Sequence, residues 1–308
     1  MAGNDFIAGI GSTNVDLLYS GLERLPCEGE ELYSKDFHCL LGGGVPATLI
    51  NLGRLGIPVK IATELGCDMF SDFARRKFAE NNVEPLNLYE GTDIPLNVSC
   101  AMITPQDRTF VSYGHGKVTA TDENMEKLYN MCKGAKLVLM HVGEFIPVYE
   151  KLKAEGTILV FDCGWEENLN LENYGKYLEI ADYYTPNRKE ALLITGKDSI
   201  DEAARVLSGY FKRVIVKLDK DGCLGMEDGR KFTVSPVPGI KCVDSTGAGD
   251  AFLSGFCYGL YHGKSLEECI KFGNITGARC VEKVGCLTGH STEEELMTLS
   301  KTLDVKYI

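Results

Sequence analysis

Between positions 244 and 252 the chain reads Asp244-Ser245-Thr246-Gly247-Ala248-Gly249-Asp250-Ala251-Phe252, a polar, glycine-rich turn that runs directly into an apolar helical pattern. The first turn of a helix carries unpaired backbone N–H groups and the positive end of the helix dipole. Glycines allow those groups to close on an anion without a side chain in the way. The stretch therefore predicts an anion-binding loop beside a carboxylate, a combination that suits phosphoryl transfer to a hydroxyl.

Elsewhere in the chain, short apolar segments alternate with helical patterns. The predicted strands lack regular polar alternation, as expected of strands covered on both faces; they are Phe6–Ile10, Val59–Thr63, Lys136–His141, Thr157–Asp162, Asp182–Thr185 and Arg213–Leu218. The predicted helices are Ala47–Leu55, Asp68–Asn82, Asp122–Cys132, Ser199–Phe211, Gly249–His262, Leu266–Glu282 and Thr292–Lys301. This alternation predicts a parallel sheet with helices on both faces and ligands at the carboxyl ends of the strands.

The charge balance disfavours two classes of partner. The 308 residues carry a formal net charge of −12, and 44% of them are hydrophobic. A surface of that sign repels nucleic-acid phosphates and anionic lipids, so we expect neither nucleic acid nor membrane as the main partner. The first five residues contain no basic segment and no apolar run, and the chain contains no bilayer-spanning stretch, which favours a cytoplasmic protein.

The cysteines and histidines do not indicate a metal or redox motif. None of the 12 cysteines forms a C-x-x-C pair, and those in strand-like runs, such as Cys100 and Cys242, are expected to be small buried residues in a reducing compartment. The five histidines are scattered at positions 38, 115, 141, 262 and 290.

The stretch 244–250, with the following Ala251–Phe256, resembles the C-terminal signature of the ribokinase, or PfkB, family of sugar and nucleoside kinases. The resemblance extends from Gly11 to about Gly289, with the family's motifs in order. It implies Asp250 as the general base and the backbone of Gly247, Ala248 and Gly249 as the anion hole. Taken alone, the motif also fits an ordinary glycine-rich loop that caps a core helix.

The same resemblance implies the architecture. The expected fold class is α/β, a ribokinase-like three-layer α/β/α sandwich with a small β-sheet lid, and residues 1–308 are expected to form a single kinase domain. The lid segments are predicted at about 12–41 and 95–115. Within them, Glu31–Tyr33 and Asn97–Ile103 have strand character.

The turn after the first predicted strand reads Gly11-Ser12-Thr13-Asn14-Val15-Asp16 and resembles the family's first substrate motif. A sugar must be held by fixed hydrogen-bond donors and acceptors, which Asn and Asp side chains supply. By resemblance, Asn14 and Asp16 bind sugar hydroxyls. The alternative is a turn stabilised by these two side chains.

Gly42-Gly43-Gly44 resembles the family's di-glycine hinge, where glycines let the backbone approach a sugar and the lid swing. Gly42 and Gly43 are therefore predicted to bind substrate. The family commonly has Asn five residues after the first glycine, and this chain has Ala47. One hydroxyl contact is therefore expected to be missing, which leaves the identity of the sugar open.

Two further positions are candidate substrate ligands. Arg108, on a lid-like segment, either closes over substrate or phosphate or lies at a solvated hairpin tip. Glu144 lies one residue from the place where many relatives have an acidic sugar ligand, and is otherwise an exposed acid at a helix start.

Asn187 and Glu190 in Thr185-Pro186-Asn187-Arg188-Lys189-Glu190 lie three residues apart and would share one helix face. They resemble the family's N-x-x-E motif, which implies that they organise waters around Mg²⁺ and contact the cofactor ATP. The spacing is also that of a helix capping box.

The rest of the implied nucleotide site follows by position. Lys217 is placed to reach phosphate oxygens, or lies at a strand end in solvent; Asp219 replaces a family glycine; Asn274 matches a position near adenine. A K⁺-type ion site, held mainly by backbone carbonyls in relatives, corresponds to Asp244, Thr246, Cys280, Lys283 and Gly285.

The first hypothesis from the sequence is an ATP- and Mg²⁺-dependent kinase that phosphorylates a primary hydroxyl of a small sugar, of the fructose or ribose type. The second is a nucleoside kinase of the adenosine type on the same fold. The third is a non-catalytic sugar-binding regulator, which would be expected to lack the aspartate of the G-A-G-D motif or the N-x-x-E pair. A homodimer through the lid strands is also expected, since an open β edge invites pairing.

Overall fold

The computed structural model of the chain describes residues 5–114, 118–164, 166 and 168–308. Its strands in chain order are β1 Ile7–Ile10, β2 Asn14–Ser20, β3 Asp36–Gly42, β4 Val59–Thr63, β5 Val83–Asn87, β6 Asn97–Ile103, β7 Arg108–Tyr113, β8 Leu137–Met140, β9 Ile158–Phe161, β10 Tyr183–Tyr184, β11 Arg213–Lys217, β12 Cys223–Glu227, β13 Arg230–Val234 and β14 Val305–Tyr307. Its α-helices are α1 Gly44–Arg54, α2 Met69–Glu80, α3 Asp122–Cys132, α4 Ile146–Ala154, α5 Leu171–Ile180, α6 Arg188–Thr195, α7 Ile200–Leu207, α8 Ala248–Tyr261, α9 Leu266–Val281 and α10 Glu293–Leu299.

The centre of the fold is a six-stranded parallel sheet in the order β10-β9-β8-β1-β4-β5. Neighbouring residues of β1 point to opposite sides of it. Ile7 belongs to one hydrophobic cluster, together with Ile50 of α1, whereas Ala8 belongs to another, together with Leu128 of α3. Because both faces are covered, β1 is buried at every position, and the predicted three-layer arrangement is confirmed.

Strand β11 begins a second, antiparallel sheet in the order β11-β12-β13-β14. The predicted strand Arg213–Leu218 is therefore present, but its β12 neighbour runs the opposite way. A 3₁₀ turn at Asp219–Asp221 reverses the chain, and Gly222, at φ +88°, ends it. A parallel bridge between Asn187 and Lys217 connects this sheet to the central one.

The lid is a four-stranded sheet in the order β3-β2-β6-β7, and both predicted lid segments contribute to it. The prediction of strand character at Glu31–Tyr33 is wrong, because the two strands of the first segment are β2 and β3, and Glu31–Tyr33 lies in the connection between them. The predicted strand Asn97–Ile103 is confirmed as β6. Residue 115, the predicted end of the lid, lies outside the described residues.

The main omissions from the sequence prediction are helices α4 and α5, strand β5, and strands β12, β13 and β14 of the antiparallel sheet. Helix α4 has a mixed pattern with Pro147 in its first turn, and α5 contains a central Gly175, so neither has a simple apolar stripe. Cys242 was predicted to be buried but is exposed in the loop before Asp244, where no strand forms. None of the helices within the described ranges has the length and apolarity needed to cross a membrane.

Candidate active site

A cleft of about 1640 Å³ lies at the carboxyl ends of the parallel strands. Its walls bring together residues that are far apart in the chain, among them Asn14, Gly43, Arg108, Asp162, Asn187, Glu190, Lys217, Asp219, Gly247, Ala248, Gly249, Asp250 and Asn274. Most of the predicted site residues therefore share one cavity, in the position that parallel α/β sheets use for ligands.

The predicted anion loop forms the N-terminus of α8. Gly247 adopts the left-handed conformation at φ +74°, and a Cβ there would lie 2.1 Å from the Cβ of Cys286. Only glycine fits both constraints. The residues of α8 from Ala251 to Gly259 are all buried, so the loop is attached to a helix of the core.

Asp250, in the first turn of α8, is the predicted general base. Burial raises its pKa to about 6, with Lys217 opposing and Glu190 adding to the shift. The Thr48 hydroxyl of α1 donates hydrogen bonds to the carbonyls of Asp250 (3.2 Å) and Gly44 (3.0 Å). Asp250 is therefore fixed relative to the glycine-rich start of α1, and remains a proton acceptor near neutral pH.

Lys217 is not the solvated strand-end lysine of the alternative interpretation. Its side chain is 12% exposed, and Nζ lies 3.5 Å from Oδ2 of Asp162. A Cβ on Gly249 would lie 3.2 Å from the same Nζ, so the ammonium group lies beside the anion loop. Burial alone would lower the pKa of Lys217, but the charges of Asp162, Glu190 and Asp250 outweigh it and raise the pKa.

Asp162 is a residue of the cleft wall that was not among the predicted site residues. It follows β9, and its Oδ1 is buried without a hydrogen-bond partner. Burial raises the pKa of this carboxyl despite the nearby Lys217. A signal was present in the sequence, since Asp162 stands at the carboxyl end of a predicted core strand.

Asn187 and Glu190 form the capping box that the spacing also allowed. Asn187 Oδ1 accepts the Glu190 N–H (3.0 Å), and Glu190 Oε2 accepts the Asn187 N–H (2.7 Å) at the start of α6. Both side chains also line the cleft. The cap fixes them there, so the two interpretations of this motif are compatible.

At the other end of the cleft, the predicted substrate residues lie on the lid and its hinge. Asn97 of β6 donates to Oδ1 of Asn14 (2.9 Å). A Cβ at Gly42 would lie 2.4 Å from Oδ2 of Asp16, so the strands meet closely beside the cleft. Burial raises the pKa of Asp16 to about 6. Gly43 takes φ +97° just before α1 begins.

The remaining candidates differ in how well the structure brings them to the cleft. Asp219, at φ +55°, lines the cleft, and so does Asn274, whose amide donates to the Ser235 carbonyl (3.0 Å); their predicted contacts with the nucleotide stay predictions. Glu144 is exposed and is not part of the wall, where His141 is the nearby lining residue. The weak prediction for Glu144 is therefore not supported.

At the predicted K⁺ site, the carboxylate of Asp244 is paired with the guanidinium of Arg108. The Oδ1 of Asp244 accepts from the Thr246 N–H (2.9 Å) and from Arg108 Nη1 (2.8 Å), and Oδ2 accepts from the Gly285 N–H (2.9 Å). Burial would raise the pKa of Asp244, but these donors together hold it below its usual range. A guanidinium therefore balances the Asp244 carboxylate in this conformation. The K⁺ site itself stays a prediction, since in relatives it is held mainly by backbone carbonyls.

The fold and the cleft define a phosphotransferase of the α/β class with a β lid, and comparison with known proteins agrees. The signature of the pfkB family carbohydrate kinases matches residues 4–293. The chain therefore belongs to the pfkB family, and it is a sugar or nucleoside kinase of the ribokinase type.

Individual relatives agree with this assignment. A cytidine kinase from Thermococcus kodakarensis is 40% identical over 257 residues, which span 79% of this chain and 88% of that protein. The structure of Arabidopsis thaliana ribokinase complexed with ribose and ATP matches with a TM-score of 0.80 at 23% identity, covering 96% of this chain and 98% of that one. A putative ribokinase II from Escherichia coli in complex with ATP and Mg²⁺ matches with a TM-score of 0.78 at 22% identity, covering 96% and 99%.

Proposed function

We propose that this protein transfers the γ-phosphoryl group of ATP to the primary hydroxyl of a nucleoside, a cytidine-like one first of all. The observation that carries the choice of acceptor is the 40% identity to a cytidine kinase across 79% of the chain. Ala47, where sugar kinases of the family commonly have Asn, is fully buried in the core and is not a residue of the cleft wall, so the choice of acceptor rests on the relative alone.

In this proposal Asp250 accepts the proton of the attacking hydroxyl, because it lies in the first turn of α8, directly after the anion loop, and burial raises its pKa to about 6. The N–H groups of Gly247, Ala248 and Gly249 stabilise charge on the transferred phosphoryl oxygens. Lys217, beside Gly249, adds a fixed positive charge. Asn14 and Asp16 hold the ribose hydroxyls, and closure of the lid excludes water.

The nucleotide half of the cleft fits ATP with Mg²⁺. Asp162 leaves a buried carboxylate oxygen without a partner, and the capped Glu190 lies in the same wall. Asp162, Asn187 and Glu190 would hold water molecules of a hydrated cation, which Mg²⁺ retains in such sites. When bound, Mg²⁺ supplies neutralising charge to the phosphates. Asp219 and Asn274 would border the nucleotide.

A free pentose or ketohexose is the second candidate acceptor. Asn14, Asp16, Gly42 and Gly43 match the family's sugar motif residue by residue, and a free pentose such as ribose shares its ring with a nucleoside. The regulator hypothesis has no support, because Asp250, Asn187 and Glu190 are all present.

We also propose a homodimer through the lid. The strand register places Tyr19, Phe37, Val111 and Tyr113 on one face of the lid sheet, opposite the face that carries Asn14 and Arg108, and all four are exposed. An exposed apolar sheet face of this kind favours packing against a second copy. Light scattering should give a dimer for the wild type and a monomer for Val111→Lys, whereas Met69→Lys, on exposed α2, should remain dimeric.

The acceptor assay measures ADP release with Mg²⁺ and ATP against cytidine, uridine, adenosine, ribose, fructose, 2-keto-3-deoxygluconate and tagatose 6-phosphate, with and without K⁺. A kcat/KM for cytidine or uridine at least about tenfold above ribose and fructose would support the nucleoside assignment. Ribose or fructose as the best acceptor would instead support the second candidate. No turnover of any acceptor by protein that binds ATP would contradict both.

A further inference from the structure

Arg108 of the lid contacts the anion loop directly. Arg108 is the first residue of β7, and its Nη1 bonds both Oδ1 of Asp244 (2.8 Å) and the hydroxyl of Thr246. These partners lie 136 and 138 residues further along the chain, so the contact joins two separate parts of the fold across the cleft. From the sequence, Arg108 either closes over substrate or phosphate or lies at a solvated hairpin tip; in the structure its guanidinium bonds Asp244 and Thr246.

Asp244 is the residue that shapes this loop. Its carboxylate accepts the N–H and hydroxyl of Thr246 and the N–H of Gly285, which fixes the backbone just before Gly247. The side chain of Asp244 is only 14% exposed. A group that neutralises it therefore acts on the conformation from which the loop N–H groups are presented.

We propose that Arg108 is a latch: the lid in its closed position supplies the guanidinium that completes the Asp244 and Thr246 network, and so holds the anion loop in its working shape. Opening of the lid breaks this contact and releases the loop. Arg108 is thus a positioning residue. The inference rests on the kinase function proposed above, but it does not depend on which acceptor is used.

An ordinary surface ion pair is the alternative, and most of these contribute little. Two features distinguish Arg108. One nitrogen bridges two acceptors of the same loop, and one of those acceptors is largely buried. Arg24 provides a matched control, because it forms an ion pair with Glu30 only six residues away and with both side chains exposed.

The test is amide hydrogen exchange followed by mass spectrometry on the full chain without ligands, for wild type, Arg108→Ala, Thr246→Val and Arg24→Ala. The latch predicts that Arg108→Ala increases deuterium uptake in peptides covering 244–249 as well as in the lid strand β7. Thr246→Val removes both the acceptor for Arg108 and the hydroxyl that donates to Asp244, so it should increase uptake at 244–249 even with Arg108 in place, whereas only Arg108→Ala should also increase uptake in β7. Arg24→Ala should change neither region.

Kinetics provide the second readout. In Arg108→Ala we expect kcat to fall about ten- to hundredfold because the loop is misplaced, with the KM for ATP changed less than threefold. Unchanged uptake at 244–249 would overturn the latch, and so would a large rise in the KM for ATP with normal uptake, which would assign Arg108 to the phosphates. The exchange result does not require a known acceptor, so a failure of the nucleoside assignment leaves this test intact.

Discussion

The lid sheet and helix α8 form opposite walls of one cleft, and they are built in opposite ways. Every residue of β7 is exposed, whereas nine consecutive residues of α8, from Ala251 to Gly259, are buried. The anion loop is fixed by the core beneath it, whereas the lid is held by its own hydrogen-bonded strands and by few contacts with the rest of the fold.

This difference separates the two tasks of the enzyme. Transition-state charge must be met by groups that do not move, which a buried helix start provides. An acceptor must enter and leave, which requires a wall that swings. We therefore expect changes at the α8 wall to reduce kcat and changes at the lid wall to affect the acceptor.

The largest effect is expected at Asp250. Asp250→Asn removes the proposed proton acceptor and should lower kcat by about a thousandfold. Because burial raises the pKa of Asp250 to about 6, its ionised form is unfavourable in the folded state at pH 7. The same substitution should therefore raise the free energy of unfolding by about 1–2 kcal/mol at pH 7, and this gain should vanish near pH 4.

Initial rates and urea unfolding at the two pH values measure these effects, with Asp198→Asn, on an exposed loop, as the control for loss of a carboxylate. If the Asp250→Asn protein is folded and turns over at the wild-type rate, Asp250 is not the proton acceptor.

On the lid wall, the residue that corresponds to Asp250 as a test of the comparison is Asp16. Asp16→Asn should lower kcat/KM for the acceptor by about a hundredfold, since a carboxylate that accepts hydrogen bonds from hydroxyl groups is replaced by an amide. The KM for ATP should stay near the wild-type value, because Asp16 lies at the acceptor end. Ser20→Ala, at the far end of the same strand, should behave as wild type. An equal loss of affinity for ATP would contradict the division between the two walls.

The pH dependence of kcat/KM should reflect one carboxylate from each wall. Asp16 and Asp250 each have a pKa raised to about 6, and each acts when ionised. As pH falls below 6, kcat/KM should drop with a limiting slope near two decades per unit, because two carboxylates take up protons. In Asp16→Asn the slope should be near one. A slope of one in the wild type would mean that only one of the two must be ionised.

The free energy of unfolding should change in the opposite direction to kcat/KM between pH 4 and pH 6. Between the unfolded pKa, near 4, and the folded pKa of about 6, the folded state binds more protons than the unfolded state. The free energy of unfolding should therefore decrease as pH rises from 4 to 6, for the contribution of these two groups.

The sequence predicted the α8 wall better than the lid wall for a physical reason. A glycine-rich turn before an apolar run is a local signal for a helix start, so the position of residues 247–250 at the N-terminus of α8 follows from a short stretch of sequence. The lid strands are half exposed and lack a strong apolar period, which explains why Glu31–Tyr33 was wrongly assigned.

Contacts between distant segments were not predictable. Nothing in the sequence around Arg108 indicates Asp244, and nothing near Thr48 indicates the carbonyl of Asp250, since each pair is joined only by the tertiary fold. Asp162 lay on a predicted strand, but its role as a buried carboxylate depends on Lys217 from a different sheet.

Thr48 gives the smallest and most local test of the rigid wall. Its buried hydroxyl donates to the carbonyls of Gly44 and Asp250, and so joins the first turns of α1 and α8. Thr48→Val retains the shape but removes the donor, a loss of about 1 kcal/mol. If the lost hydrogen bond helps to position Asp250, kcat should decrease about fivefold, with little change in the KM for the acceptor. Thr48→Ser, which keeps the hydroxyl, should restore kcat. A Thr48→Val enzyme with lower thermal stability but normal kcat would show that α8 holds Asp250 without help from α1, and that the rigidity of this wall comes from the helix core alone.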